Sequence, residues 1–73
     1  MRPLAKIRIE KGYKTQEELA AKLGTHRVNV ARWEMGQRYP RPNVLVELSK
    51  VLGVPERELI EAINPETQVA DSK

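Results

Sequence analysis

The sequence predicts an all-α domain of five short helices. Three observations carry that expectation. Apolar residues recur at three- and four-residue intervals, the period of one helix face. No segment alternates apolar and polar residues as a half-buried strand does. Glycine and proline fall only where one apolar stripe gives way to the next, the places where helices end and begin.

Each helix has its own signals. Residues 2–11 (RPLAKIRIEK) place Leu4, Ile7 and Lys11 along one stripe. Pro3 stands near the start, where its fixed φ and missing N–H are tolerated, and Gly12 marks the end. Thr15-Gln16-Glu17-Glu18 has the form of a capping box, in which the Thr15 hydroxyl accepts from the Glu18 N–H and Glu18 reaches back. Leu19, Ala20 and Leu23 follow as an apolar stripe, and Gly24 stops the second helix. A third helix starts at about Arg27, turns Val30 and Trp33 inward and closes at Gly36. Residues 37–41 (QRYPR) form a loop. Pro42 suits the first turn of a fourth helix, which runs through Leu45, Leu48, Val51 and Leu52 to Gly53. Pro55 or Glu56 opens the fifth, with Leu59, Ile60 and Ile63 as its apolar side, and Asn64-Pro65 breaks it. The remaining residues are polar, so 1–63 is expected to be the folded domain and 64–73 a flexible tail. Glu18–Gly24 (ELAAKLG) and Glu47–Gly53 (ELSKVLG) look alike. Two copies are too few for a repeat protein, and the likeness reflects one task, an amphipathic helix ended by glycine.

At 73 residues the chain is one domain with a small core and marginal stability. It has no cysteine, so neither a disulfide nor a thiolate metal site supports it. No apolar run follows a basic region at the N-terminus, so no signal peptide is expected. Uncharged stretches such as Pro42–Val46 are far too short to span a bilayer. A cytoplasmic protein with no membrane partner is therefore expected. The net charge of +3 is unevenly placed. Residues 1–41 hold ten Lys/Arg against four acids, a balance of +6, and residues 42–73 hold three against six, a balance of −3. That asymmetry fits a polyanion bound on one side, and equally a solvated surface with chance clustering.

The stretch GTHRVNVARWEMGQRYP (Gly24–Pro40) is the most informative. Only Gly24, Thr25 and His26 separate the second helix from the third, which forces a sharp turn. Two short helices joined by about three or four residues including glycine form the helix-turn-helix pattern. Ala20 is small and lets the third helix pack closely. With Val30 and Trp33 turned inward, Arg27, Val28, Ala31 and Arg32 face outward or sideways. Arg27 and Arg32 diverge by about 140° on a helix, yet both are long enough to reach one groove.

These residues resemble a known family. Thr15-Gln16-Glu17-Glu18-Leu19-Ala20, Leu23-Gly24, Val30, Arg32-Trp33-Glu34, Gly36, Arg38, Pro40, Leu45, Leu48 and Leu52-Gly53-Val54 are similar, as a set, to the lambda-repressor and Cro-type helix-turn-helix domain, the XRE family. The resemblance covers about residues 4–60. It implies a compact five-helix, lambda-repressor-like DNA-binding domain with the helix-turn-helix in helices two and three. It also implies a dimer on a two-fold operator. Carried over residue by residue, it makes the helix from Arg27 the recognition helix in the major groove. Arg27, Val28 and Arg32 then meet base edges: arginine can bridge guanine O6 and N7, and valine can touch a thymine methyl. Gln16 binds a phosphate and braces the first base-contacting side chain. Asn29, Arg38 and Arg41 touch flanking phosphates, contacts that set register and affinity. Glu34 pairs with Arg8 of the first helix, tying that helix to the end of the recognition helix; the bland alternative is a surface glutamate screened among arginines.

The chain also departs from the family pattern. Tyr13 and Lys14 lie between Gly12 and Thr15 where many members have one residue, which makes Tyr13 a candidate core plug. Thr25 replaces an apolar residue in the turn. His26 stands where Ser or Thr caps the third helix. Pro42 replaces a leucine.

Other chemistries lack an inventory. One His and no Cys provide no zinc set, no cofactor motif is present, and no Ser/His/Asp set, paired carboxylates or Gly-rich phosphate loop suggests an enzyme. Trp33 fits the core stripe better than a base-stacking platform. Tyr39, between Arg38 and Arg41, can flank DNA or cover the loop. The expected function is a sequence-specific transcriptional regulator of double-stranded DNA, a repressor acting as a homodimer. Leu59, Ile60 and Ile63 are its candidate dimer face, or else they close the core. The competing reading is an antitoxin-type autoregulator whose acidic part, residues 54–71, binds a protein partner.

Overall fold

The computed structural model describes residues 2–64 and contains α1 (Leu4–Glu10), α2 (Gln16–Leu23), α3 (Arg27–Glu34), α4 (Pro42–Leu52) and α5 (Glu56–Ile63). No strand occurs among the described residues. Among the described residues no helix is long and apolar enough to cross a membrane. The tail expected over 64–73 lies outside the described residues apart from Asn64.

The helix starts follow from the chain's prolines and one capping box. Pro3 and Pro55 precede α1 and α5 in extended conformation, and Pro42 occupies the first turn of α4, where a missing N–H leaves nothing unsatisfied. α2 is the one helix of the five with a side-chain cap. The Glu18 N–H donates to Thr15 Oγ1 at 3.1 Å, and Glu18 Oε1 accepts from the N–H groups of Thr15 (3.2 Å) and Lys14 (2.7 Å). α3 begins on His26 with no side-chain cap bond, so its first turn depends on other contacts.

The core draws on every helix. Leu4 and Ile7 from α1, Leu19 and Ala20 from α2, Val30 and Trp33 from α3, Leu48 and Leu52 from α4, and Leu59, Ala62 and Ile63 from α5 are buried, with Val54 between the last two helices. Tyr13, Leu23, Val44, Leu45 and Val51 pack around them half-buried. Ser49 Oγ donates to the Val54 carbonyl at 2.6 Å and stitches the α4–α5 corner. Arg2 pairs with Glu10 and, at 2.8 Å, with Glu58, fastening the start of α1 to α5. The hydrogen bond with Glu58 is the largest factor raising the Arg2 pKa above its ordinary value.

Two expected stripe members are elsewhere. Lys11 follows the end of α1 and is exposed; its ammonium stays in water, where burial would be costly. Ile60 is 45% exposed. It sits about 100° round the helix from Leu59, off the arc that Leu59, Ala62 and Ile63 share, and the small Ala62 fills the inward seat instead.

Gly24 is the conformational hinge of the α2–α3 turn. Its φ of 72° and ψ of 33° lie in the left-handed region. There the Gly24 N–H reaches the Ala21 carbonyl (3.2 Å) and the Thr25 N–H reaches the Ala20 carbonyl (2.9 Å), the paired closure of a glycine-ended helix. A Cβ at Gly24 would meet nothing within 4 Å, so the requirement is backbone angle and not space. Gly24→Ala is therefore expected to lose about 1–2 kcal/mol from left-handed strain, and Gly24→Asn distinctly less. Thermal melts of the two variants would show it; equal melting temperatures would mean that the turn relaxes out of the left-handed region.

Candidate nucleic-acid interface

α2 and α3 make the most extensive helix–helix contact of the fold. Ala20, 2% exposed, provides the close approach. The turn between them is tied locally: Asn29 Nδ2 donates to Thr25 Oγ1 at 2.8 Å, and the Asn29 N–H donates to the His26 carbonyl at 3.0 Å. These bonds do at the start of α3 part of what an N-cap side chain does elsewhere.

α3 is amphipathic in the most literal sense. Val30 and Trp33 are buried at 0% and 4% exposure. On the far side Val28 and Arg32 are exposed, with Ala31 half-buried beside them. Arg27 and Asn29 are two residues apart, about 200° round the helix, and so occupy opposite flanks of that exposed face.

The Arg27 flank holds a connected polar network. Arg8 Nε donates to Glu34 Oε2 at 2.7 Å, and Arg8 Nη1 donates to the Tyr13 carbonyl at 2.9 Å. Gln16 Nε2 donates to Glu34 Oε1 at 2.8 Å, and Arg27 Nη1 donates to Gln16 Oε1 at 3.2 Å. The Arg8 and Glu34 side chains are only 7% and 8% exposed. No buried side-chain polar atom among the described residues lacks a partner. The network thus runs from the α1–α2 turn, through a nearly dry ion pair, to an exposed arginine on α3.

The Asn29 flank is different. Thr25, Asn29, Arg38, Tyr39 and Arg41 line one shallow cleft between the start of α3 and the α3–α4 loop. The side chains of Arg32, Arg38 and Arg41 form no ion pair among the described residues. Cations thus stand on both flanks of the exposed α3 face, and Glu34, the one acid of α3, is turned into the buried pair.

A Cro/C1-type helix-turn-helix model, that of the XRE family, matches residues 4–59. The chain belongs to this helix-turn-helix family. It is accordingly a DNA-binding transcription regulator. No curated protein and no solved structure matches the chain.

Within the helix-turn-helix domain, four residues of the expected site fall into one network: Arg8, Glu34, Gln16 and, at its outer end, Arg27. Asn29, Arg38 and Arg41 gather at the opposite flank. Val28 and Arg32 share the open face. The expected dimer trio is split. Leu59 and Ile63 are 0% exposed and belong to the core cluster with Ala62 and Val54, the second of the two roles their sequence positions allow. They cannot meet a second chain. Ile60 alone of the three reaches solvent. Sequence reasoning missed the Thr25–Asn29 bond: Thr25 lies before the extended N-cap His26 and outside α3, so helical spacing gives no signal for it. It also missed the Tyr13 carbonyl as an acceptor for Arg8 and the Arg2 clasp on Glu58; neither has a sequence signal. Among the described residues no group of His, Asp and Glu could hold a metal ion.

Proposed function

We propose that this helix-turn-helix domain is a cytoplasmic repressor that reads a two-fold operator as a homodimer, with α3 in the major groove. One observation carries the reading: α3 keeps Val30 and Trp33 in the core and turns Arg27, Val28 and Arg32 to solvent. A helix so presented fits the groove width of B-DNA. Arg27 and Arg32 supply forked donors for guanine, Val28 an apolar contact for a thymine methyl. Gln16, Asn29, Arg38 and Arg41 lie around the rim and take phosphates, setting register. Ile60, beside exposed Tyr39 and Val46 in one apolar groove, is the dimer contact.

Selection of sites from a random duplex library at near-physiological salt tests this. Enrichment of a two-fold site with half-sites about one helical turn apart is expected; weak, salt-sensitive binding with no enriched sequence would overturn it. The arginines should then divide. Arg27→Ala is expected to cost about 1–3 kcal/mol and relax preference at one base pair. Arg41→Ala is expected to weaken all sequences alike and to lower the salt slope by about one unit. Equal losses on specific and random duplexes for both variants would remove Arg27 from base reading.

A further inference from the structure

We propose that Glu34 sets how Arg27 is presented to DNA, by fixing which end of the Gln16 amide faces it. The inference rests on the base-reading role of Arg27. A glutamine amide has two ends of nearly equal size and opposite hydrogen-bond character. With its oxygen toward Arg27, Gln16 attracts the guanidinium. With its nitrogen there, two donors face each other and Arg27 is pushed away. A carboxylate is an acceptor only. Glu34 Oε1 therefore takes the Gln16 nitrogen, at 2.8 Å, and leaves the oxygen to accept from Arg27 Nη1 at 3.2 Å.

Glu34 can impose this because it is itself immobile. Its second oxygen accepts from Arg8 Nε at 2.7 Å, and Arg8 is held in turn by the Tyr13 carbonyl at 2.9 Å. Both side chains of the pair are almost dry, at 7% and 8% exposure, where a hydrogen bond is stronger than in water. Burial thus decreases along the relay, from the nearly dry pair through half-buried Gln16 to exposed Arg27. Arg27 gives up part of its rotamer freedom before DNA arrives, which lowers the ordering penalty of binding. Held through Nη1, it keeps its Nε–Nη2 edge for a two-pronged contact with guanine O6 and N7. Val28 and Arg32 have no hydrogen-bonded link to the relay among the described residues. Glu34 is therefore a positioning residue for one base pair and not for the whole site.

The test uses the site recovered by selection and a set of duplexes altered at each position. Gln16→Met and Glu34→Gln are each expected to lower the preference at the Arg27 base pair roughly three- to tenfold. Preference at the base pair read by Arg32 should not change. In an Arg27→Ala background neither substitution should alter preference further. Equal loss at the Arg27 and Arg32 base pairs would mean a general tilt of α3 and overturn the relay, as would no loss at the Arg27 base pair. Should Glu34→Gln not fold, Arg8→Met/Glu34→Met removes the same acceptor while replacing the whole buried pair with apolar groups, an exchange that is often neutral for stability. If Arg27→Ala itself relaxes no base pair, the base-reading role falls, and the relay is read in the free protein. There the Arg27 guanidinium, followed by ¹⁵N relaxation, should be ordered in the wild type and mobile in Gln16→Met and Arg8→Met/Glu34→Met. Equal mobility in all three would overturn it.

Discussion

Arg8→Ala is expected to remove about 3–5 kcal/mol of folding stability, the penalty for stripping one partner from a buried ion pair. The pair it breaks is well satisfied: Glu34 has both carboxylate oxygens occupied, by Arg8 and by Gln16, and Arg8 also serves the Tyr13 carbonyl. Truncation leaves a carboxylate that is 8% exposed with only a neutral amide as partner, and a backbone carbonyl without its donor. A domain of 73 residues has only about 4–11 kcal/mol in total, so the variant should be close to unfolding. At about 4–8 °C per kcal/mol for a domain of this size, the melting temperature should fall by at least about 12 °C in a circular-dichroism melt. A drop under about 4 °C would put the pair among surface salt bridges, which are worth about 0–1 kcal/mol. The double variant Arg8→Met/Glu34→Met should regain most of the loss, because apolar groups of similar volume need no partner. Regain of stability without regain of sequence preference would show that the pair is kept for geometry.

What the sequence made legible were features written in local chemistry. The limits of α2 follow from Thr15 and Glu18 at one end and Gly24 at the other, each acting within a few residues. The orientation of α3 follows from the spacing of Val30 and Trp33. Longer-range features divide by how they could be known. The Arg8–Glu34 contact spans 26 residues; no periodicity announces it, and only the family resemblance pointed there. Of the two engagements of Gln16, the brace on Arg27 came with the family resemblance, but the bond to Glu34 was not legible, because the direction in which an amide faces depends on two partners contributed by α3. Arg2 and Glu58 are 56 residues apart and meet only once α5 has folded back along α1. The α5 stripe misled for a geometric reason: Leu59 and Ile60 are adjacent, so one must leave the core, and the sequence does not say which until the seat taken by Ala62 is known.

That seat leads to an opposed pair of outcomes. Ile63→Glu is expected to unfold the domain, and Ile60→Glu to leave it folded but monomeric. Ile63 is fully buried at the end of α5. Replacing it forfeits about 2–5 kcal/mol of apolar packing and puts a carboxylate into the apolar core cluster, adding several kcal/mol more. A negative charge in the last helical turn also opposes the helix dipole, by up to about 1 kcal/mol. Together these are as large as the whole stability expected of a chain this short. Ile60, half in solvent, accepts a glutamate within about 0.5 kcal/mol, as surface positions do. Its apolar groove with Tyr39 and Val46 would then carry a charge that a second copy must desolvate on docking. Circular dichroism and light scattering on the two variants separate the roles. A folded Ile63→Glu would place that side chain outside the core, and an Ile60→Glu that stays dimeric wherever the wild type is dimeric would move the dimer contact off α5.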